Sequence, residues 1–323
     1  MVRQQLLIFL SSHNIKLAPH PIRARMSNAI ELTQVTKAFG KQIAVDSLDL
    51  NVPQGSIYGF IGPNGSGKTT TLRMILRIFQ PDTGTVKVLG ETNGKTADNR
   101  LGYLPEERGL YKRMKVRDVL TYYARLKGFY DCQGEIDYWL NRLGASGWAG
   151  KKIDALSKGM AQKIQFISAV VAKPQLVILD EPFSGLDPVN LESLRDAVFY
   201  LREHGTTILF STHDMEMAEK MCDTIFMIFN GKKVLDGSLD SIQAAYPANR
   251  IRVRVAEDGP LPELTGISDA TSNGRFHEFI LQDPKRSQAV LQQIAAQRSV
   301  NHFEVVRPSL HDIFVHIARP EVE

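Results

Sequence analysis

The spacing of apolar residues changes along the chain, and each change predicts a different element. Residues 30–52 alternate apolar with polar positions and break at turn residues, which predicts antiparallel strands, the first opening at residues 30–35 (IELTQV). Short continuous apolar runs follow at residues 56–61 (SIYGFI), 176–181 (LVILDE) and 206–210 (TTILF), and residues 86–89 give another short strand. Runs of this kind suit strands buried on both faces, as in a parallel sheet covered by helices. Residues 56–80 read as a strand, a turn and a helix. From 116 to 143 the period is helical, with Val119, Leu120, Tyr123 and Leu126, then Ile136, Trp139, Leu140 and Leu143, spaced for a buried face.

Beyond about residue 246 the pattern changes again. Residues 250–255 (RIRVRV) alternate strictly, placing Ile251, Val253 and Val255 on one face and Arg250, Arg252 and Arg254 on the other. A strand at 275–281, a helix at 287–297, a short strand at 303–306 and a last helix at 310–317 complete a small α+β unit. The arginine row could meet lipid, nucleic acid or a partner subunit, but a solvated strand face is the expectation. No aromatic residue interleaves with it as a single-strand nucleic-acid platform would need.

Length and composition set limits. At 323 residues the chain exceeds the comfortable size of one core, which predicts two domains, and a hydrophobic content of 43% supports a well-buried interior. A net charge of +4 argues for neither a DNA-binding surface nor an acidic tail, and is compatible with lying near anionic headgroups. Cys132 and Cys222 have no metal-ligand spacing, which fits a reducing cytoplasm. The best apolar runs, 6–10 and 225–229, fall far short of the roughly 18 to 20 residues of a membrane-spanning helix. The chain is therefore expected to be soluble, and any membrane pathway must come from another polypeptide. Residues 1–10 (MVRQQLLIFL) have a basic start and an apolar stretch, but not the length or cleavage site of a signal peptide. Residues 1–26 are read as a disordered extension or a misassigned start, with Met26 the expected first residue.

Chemistry concentrates after the apolar runs. Residues 62–70 (GPNGSGKTT) fit the pattern G-x-x-x-x-G-K-[ST] between a strand and a helix. In this reading Gly62, Pro63, Asn64, Gly65, Ser66 and Gly67 form a backbone cradle whose N–H groups converge on the phosphates of a nucleotide. Lys68 reaches the β- and γ-phosphates, Thr69 offers a hydroxyl to a phosphate-bound Mg²⁺, and Thr70 adds a donor. Asp180 and Glu181 close the 176–181 run. An acidic pair after a strand could serve equally as a helix cap or a solvated loop. With a phosphate cradle on the same sheet, Asp180 is placed to hold the Mg²⁺ shell and Glu181 to polarise the attacking water.

Three further stretches complete an order that resembles the ATP-binding cassette of ABC transporters over roughly residues 30–240: 156–160 (LSKGM), 184–187 (SGLD) and His213 in STHD. The resemblance implies an α/β fold, a P-loop NTPase cassette with a RecA-like parallel sheet core, an antiparallel β subdomain and an inserted helical subdomain at about 105–170. It implies that 156–160 is the signature motif, 184–187 the D-loop, His213 the switch histidine reading the γ-phosphate, and that Phe39 stacks on adenine. Ser157 and Gly159 precede the apolar-periodic Ile164, Ile167, Val170 and Val171, so the motif opens a helix whose positive end suits a phosphate. In the family that phosphate belongs to a second cassette, here either a second copy or a paralogue, in a head-to-tail dimer holding two ATP molecules.

The family usually carries Gln in the loop after the core; residues 102–111 (GYLPEERGLY) offer Glu106, which takes over the metal-linked role. Lys158 and Met160 likewise stand where Gly and Gln are usual. These traits resemble a bacterial branch that includes sodium-efflux-type exporters, whose members share a small C-terminal domain, here 246–323. The implied partner is an integral-membrane permease docking near residues 108–114, with the chain peripheral on the inner face of the membrane. Two other classes weigh less. Soluble cassette ATPases of ribosomes or DNA usually carry two cassettes or a long coiled coil, and a nucleotide kinase or GTPase has no use for LSKGM ahead of LVILDE.

Overall fold

A computed structural model describes residues 27–92, 99–107, 109–246, 249–256, 264–273 and 276–318. The expectations for residues 1–26, Arg108 and Arg275 lie outside the described residues. Strands β1 (Asn28–Phe39) and β2 (Gln42–Pro53) form an antiparallel hairpin. Its apolar face, including Ile30, Leu32, Leu48 and Leu50, is buried. β4 (Thr83–Val88) and β5 (Glu91–Thr92) extend it to a four-stranded sheet in the order β2-β1-β4-β5.

The three continuous apolar runs become adjacent strands of a second sheet. β3 (Ile57–Ile61), β6 (Leu101–Leu104), β7 (Leu176–Asp180), β8 (Thr207–Thr212), β9 (Thr224–Phe229) and β10 (Lys232–Gly237) lie in the order β10-β9-β3-β8-β7-β6. The five from β9 to β6 are parallel and β10 is antiparallel. Every residue of β3, β7 and β8 is buried, which is why these segments do not alternate. One face carries α1 (Lys68–Ile75) and the antiparallel sheet. The other meets α2 (Val116–Leu126), α3 (Gln133–Arg142), α4 (Lys158–Val170) and α5 (Pro188–Glu203), with Trp139 edge-on to Phe166 at 5.9 Å. Among the described residues no helix is long and apolar enough to cross a membrane.

Helix α6 (Met215–Met221) connects β8 to β9 within the second sheet, and α7 (Leu239–Ala244) leads from β10 to a third sheet. There β11 (Arg250–Val255), β12 (Ile267–Asn273), β13 (Phe276–Leu281) and β14 (Val300–Val306) run antiparallel in the order β12-β13-β11-β14, with α8 (Ser287–Ala295) on the apolar face of β11. β12 is not foreseen from sequence, because this edge strand is polar and largely exposed and shows no alternation. The last helix, α9 (Leu310–Ala318), packs against α6.

Candidate active site

Parallel strands bring their carboxyl ends to one edge of a sheet, and here four such ends carry the candidate groups. β3 runs into residues 62–67 and α1, β6 into Pro105 and Glu106, β7 ends on Asp180 before Glu181, and β8 ends on Thr212 before His213. The first turn of α1 has no side-chain cap, as is also true of α2 and α3, whereas α4, α5, α6 and α7 are capped by Ser157, Asp187, Asp214 and Ser238. Its orphan N–H groups are thus left for a ligand. Gly67 has φ 110°, and a Cβ there would stand 2.5 Å from the Ala44 carbonyl oxygen, so only glycine lets this loop turn beneath β2. Lys68 Nζ donates to the carbonyls of Gly62 at 2.6 Å and Pro63 at 3.1 Å. Ser66 accepts from Gly231 N at 2.9 Å through its carbonyl, and its buried hydroxyl has no partner.

Phe39, Asn64, Gly65, Gly67, Lys68, Thr69, Thr70, Glu106, Asp180 and Glu181 line one cavity of about 430 Å³. Gly62, Pro63 and Ser66 form the loop behind it. Phe39 stands at its rim 47% exposed, its ring edge-on to Phe79 at 5.6 Å. Sequence reasoning missed five lining residues: Gln42, Ile43, Ala44, Asn230 and Gly231. The Asn-Gly pair is a hairpin-turn signal between β9 and β10 and could have been placed; its route to the cradle could not.

Glu181 is the most constrained group of the site. Its Oε1 accepts from the backbone N of His213 at 2.8 Å and from His213 Nδ1 at 2.6 Å, and its Oε2 accepts from Thr212 Oγ1 at 3.0 Å. A carboxylate only accepts, so Nδ1 carries the proton. The backbone of Glu181 is left-handed, φ 49°, a cost that a non-glycine residue bears only where its surroundings enforce it. The ladder bond from Glu181 N to Ser211 O, 2.9 Å, is part of that enforcement.

Burial, with smaller contributions from Glu106 and Glu181, pushes the Asp180 carboxyl up to about 6, against the pull of Ser211 and Lys68. Burial also lowers Lys68, with Glu181, Asp180 and Glu106 opposing. Three carboxylates thus face one ammonium in the cavity, an excess of negative charge that a bound polyphosphate would increase. Thr69, Asp180 and Glu106 are hard oxygen donors of the kind a divalent cation needs beside phosphate, and the cavity fits a cation together with a nucleotide. Among the described residues there is no cluster of three or more His, Cys, Asp or Glu side chains that would hold a metal alone, so phosphate and water would supply the remaining oxygens.

Ser157 and Gly159 do not line the cavity of their own chain. Ser157 caps α4 by accepting from Met160 N at 3.3 Å, and Gly159 lies against Asn190 of α5. His213, 54% exposed, reaches the site through Glu181.

The family model for ABC transporters matches residues 45–184. The model for the ATP-binding protein DrrA1-3-like C-terminal domain matches 237–318. A model of an AAA domain, putative AbiEii toxin of a type IV toxin–antitoxin system, matches 152–218. An uncharacterized ABC transporter ATP-binding protein of Bacillus subtilis, YhaQ, is 42% identical over 289 residues, which cover 88% of this chain and 97% of that protein. The Nod factor export ATP-binding protein I of Paraburkholderia xenovorans is 32% identical over 310 residues, 91% of this chain and 98% of its own. A solved structure described as the ATP binding subunit of an ABC transporter superposes with a TM-score of 0.63 at 28% identity, over 67% of this chain and 92% of that one.

Proposed function

The chain belongs to the ATP-binding proteins of ABC transporters, and from that premise we propose that it hydrolyses ATP to power export through a separate integral-membrane permease. The observation that carries this reading is Glu181, strained and tied to Thr212 and His213, at the edge of the uncapped cradle. Phe39 would cover the adenine, and residues 62–70 would hold the phosphates, with Lys68 leaving its two carbonyls for the β- and γ-phosphates. Thr69 and Asp180, with Glu106 alongside, would hold Mg²⁺, which would supply positive charge against the phosphates. When the His213 ring turns to the γ-phosphate, Glu181 Oε1 loses its Nδ1 donor while keeping the His213 backbone N–H. It can then accept a proton from the water that attacks the γ-phosphorus while the bond to the ADP oxygen breaks.

Ser157 and Gly159, outside their own cavity, would approach the γ-phosphate held by a second cassette, a copy or a paralogue. In this division residues 30–240 are the cassette, about 105–170 its helical subdomain and 246–323 the accessory domain. The chain would work on the cytoplasmic face of the membrane. Glu106, Lys158 and Met160 support assignment to the sodium-efflux-type exporter branch. The test is Glu181→Gln: ATP binding is retained, hydrolysis falls at least about 100-fold, and an ATP-loaded dimer accumulates. Hydrolysis at the parent rate would place the base elsewhere.

A further inference from the structure

The last helix leaves its own sheet and completes the core around α6. Leu310, Ile313, Phe314 and Ile317 recur at i, i+3, i+4 and i+7, one face of α9. Leu310 and Ile313 are buried to 0% and 1% in a cluster with Ala218 and Met215 of α6 and Ile225 and Met227 of β9. The Phe314 ring meets Phe229 edge-on at 5.4 Å. Polar contacts fix the register. The Glu219 carboxylate on α6 accepts from Leu310 N, an orphan donor in the first turn of α9. Ser309 and Asp312 cap the helix reciprocally: Ser309 Oγ accepts from Asp312 N, and Asp312 Oδ2 accepts from Ser309 N, both at 3.1 Å.

What α9 supports is the anchor of the hydrolytic pair. α6 starts at Met215, two positions after His213, and seven residues are too few to hold a helix without tertiary packing. Its cap residue Asp214 accepts from Met217 N at 3.0 Å and donates its own N–H to Thr212 Oγ1 at 3.0 Å. That hydroxyl in turn donates to Glu181 Oε2. Cassette residues of β3 and β8 pack against α6, and α9 adds a further contact. We propose that α9 is a positioning element for ATP hydrolysis. By clamping α6 it fixes the placement of Thr212 and His213, and through them Glu181, giving the C-terminal domain control over turnover and not over nucleotide affinity. Small displacements of such groups reduce rates steeply. The inference rests on the reading of Glu181 and His213 as the hydrolytic pair.

The experiment uses the full chain and two matched truncations. Ile313→Ala opens the α9–α6 contact; Ile294→Ala makes the same change in the separate core under β11, where Ile294 is also buried. Steady-state kinetics, equilibrium ATP binding and thermal unfolding are measured for each. The expected result is a kcat lowered about tenfold in Ile313→Ala, with KM and ATP affinity unchanged, near-parental kcat in Ile294→Ala, and recovery in Ile313→Val. Equal kcat for the two alanine variants, or a loss confined to affinity or to stability, would overturn the proposal. Should Ile313→Ala fail to fold, Glu219→Ala removes the cap contact without opening a core; unchanged kcat there overturns it equally. Glu181→Gln separates the two levels of argument. If it loses activity while the α9 variants keep theirs, only this inference fails. If it keeps the parent rate, both fall.

Discussion

Replacing Asp180 with asparagine is predicted to stabilise the nucleotide-free chain at neutral pH while abolishing Mg²⁺-dependent hydrolysis. Asp180 is 4% exposed, and its carboxyl is pushed up from 3.8 to about 6 by burial and then by Glu106 and Glu181. At about 1.4 kcal/mol per pH unit, that displacement corresponds to about 3 kcal/mol lost to keeping the charge buried. The folded chain binds the proton more tightly than the unfolded one. Stability therefore falls as pH rises from the ordinary carboxylate range to about 6, and the whole penalty is present above that. Asparagine carries no charge, so it relieves about 3 kcal/mol at pH 7.5 and little near pH 4. For a chain of 323 residues the melting temperature at pH 7.5 should rise by roughly 4 °C. Scanning calorimetry of both proteins without nucleotide, at the two pH values, gives the comparison. An asparagine variant less stable than the parent at pH 7.5, or a difference that does not shrink at pH 4, would refute the electrostatic reasoning.

Phe39→Ala should weaken ATP binding about tenfold by removing the rim ring proposed to stack on the base, with little change in melting temperature because the ring is half exposed; a calorimetric titration with ATP measures it. Glu106→Ala should lower hydrolysis and its stimulation by a co-reconstituted permease by about tenfold or more. Unchanged rates in both conditions would rule out the metal-linked role of Glu106. The same substitution takes away one carboxylate that raises Asp180, so the Asp180 titration followed by NMR should move down.

The parts of the site legible in the sequence are those whose chemistry demands residue types at contiguous positions. The cradle needs small residues and Lys-Thr in one turn, and a strand buried on both faces must read as LVILD. Gln42 to Ala44 and Asn230-Gly231 escaped because they line the cavity from β2 and the β9–β10 turn, brought there by strand packing that no local pattern encodes. α9 shows the same division. Its amphipathic spacing predicts a helix with one buried face, but not that the face belongs to α6 and to a core assembled from residues roughly 90 positions earlier. β12 had no signal at all, since an exposed edge strand has no side to bury.

Nucleotide capture by the cradle is tested by an equilibrium titration of the purified full chain with ATP and Mg²⁺. The expected result is saturable binding of one ATP per chain that is lost in Lys68→Ala, where the ammonium now held by the Gly62 and Pro63 carbonyls is missing. No measurable ATP binding by the chain with Lys68 intact, or equal binding by both proteins, would contradict it.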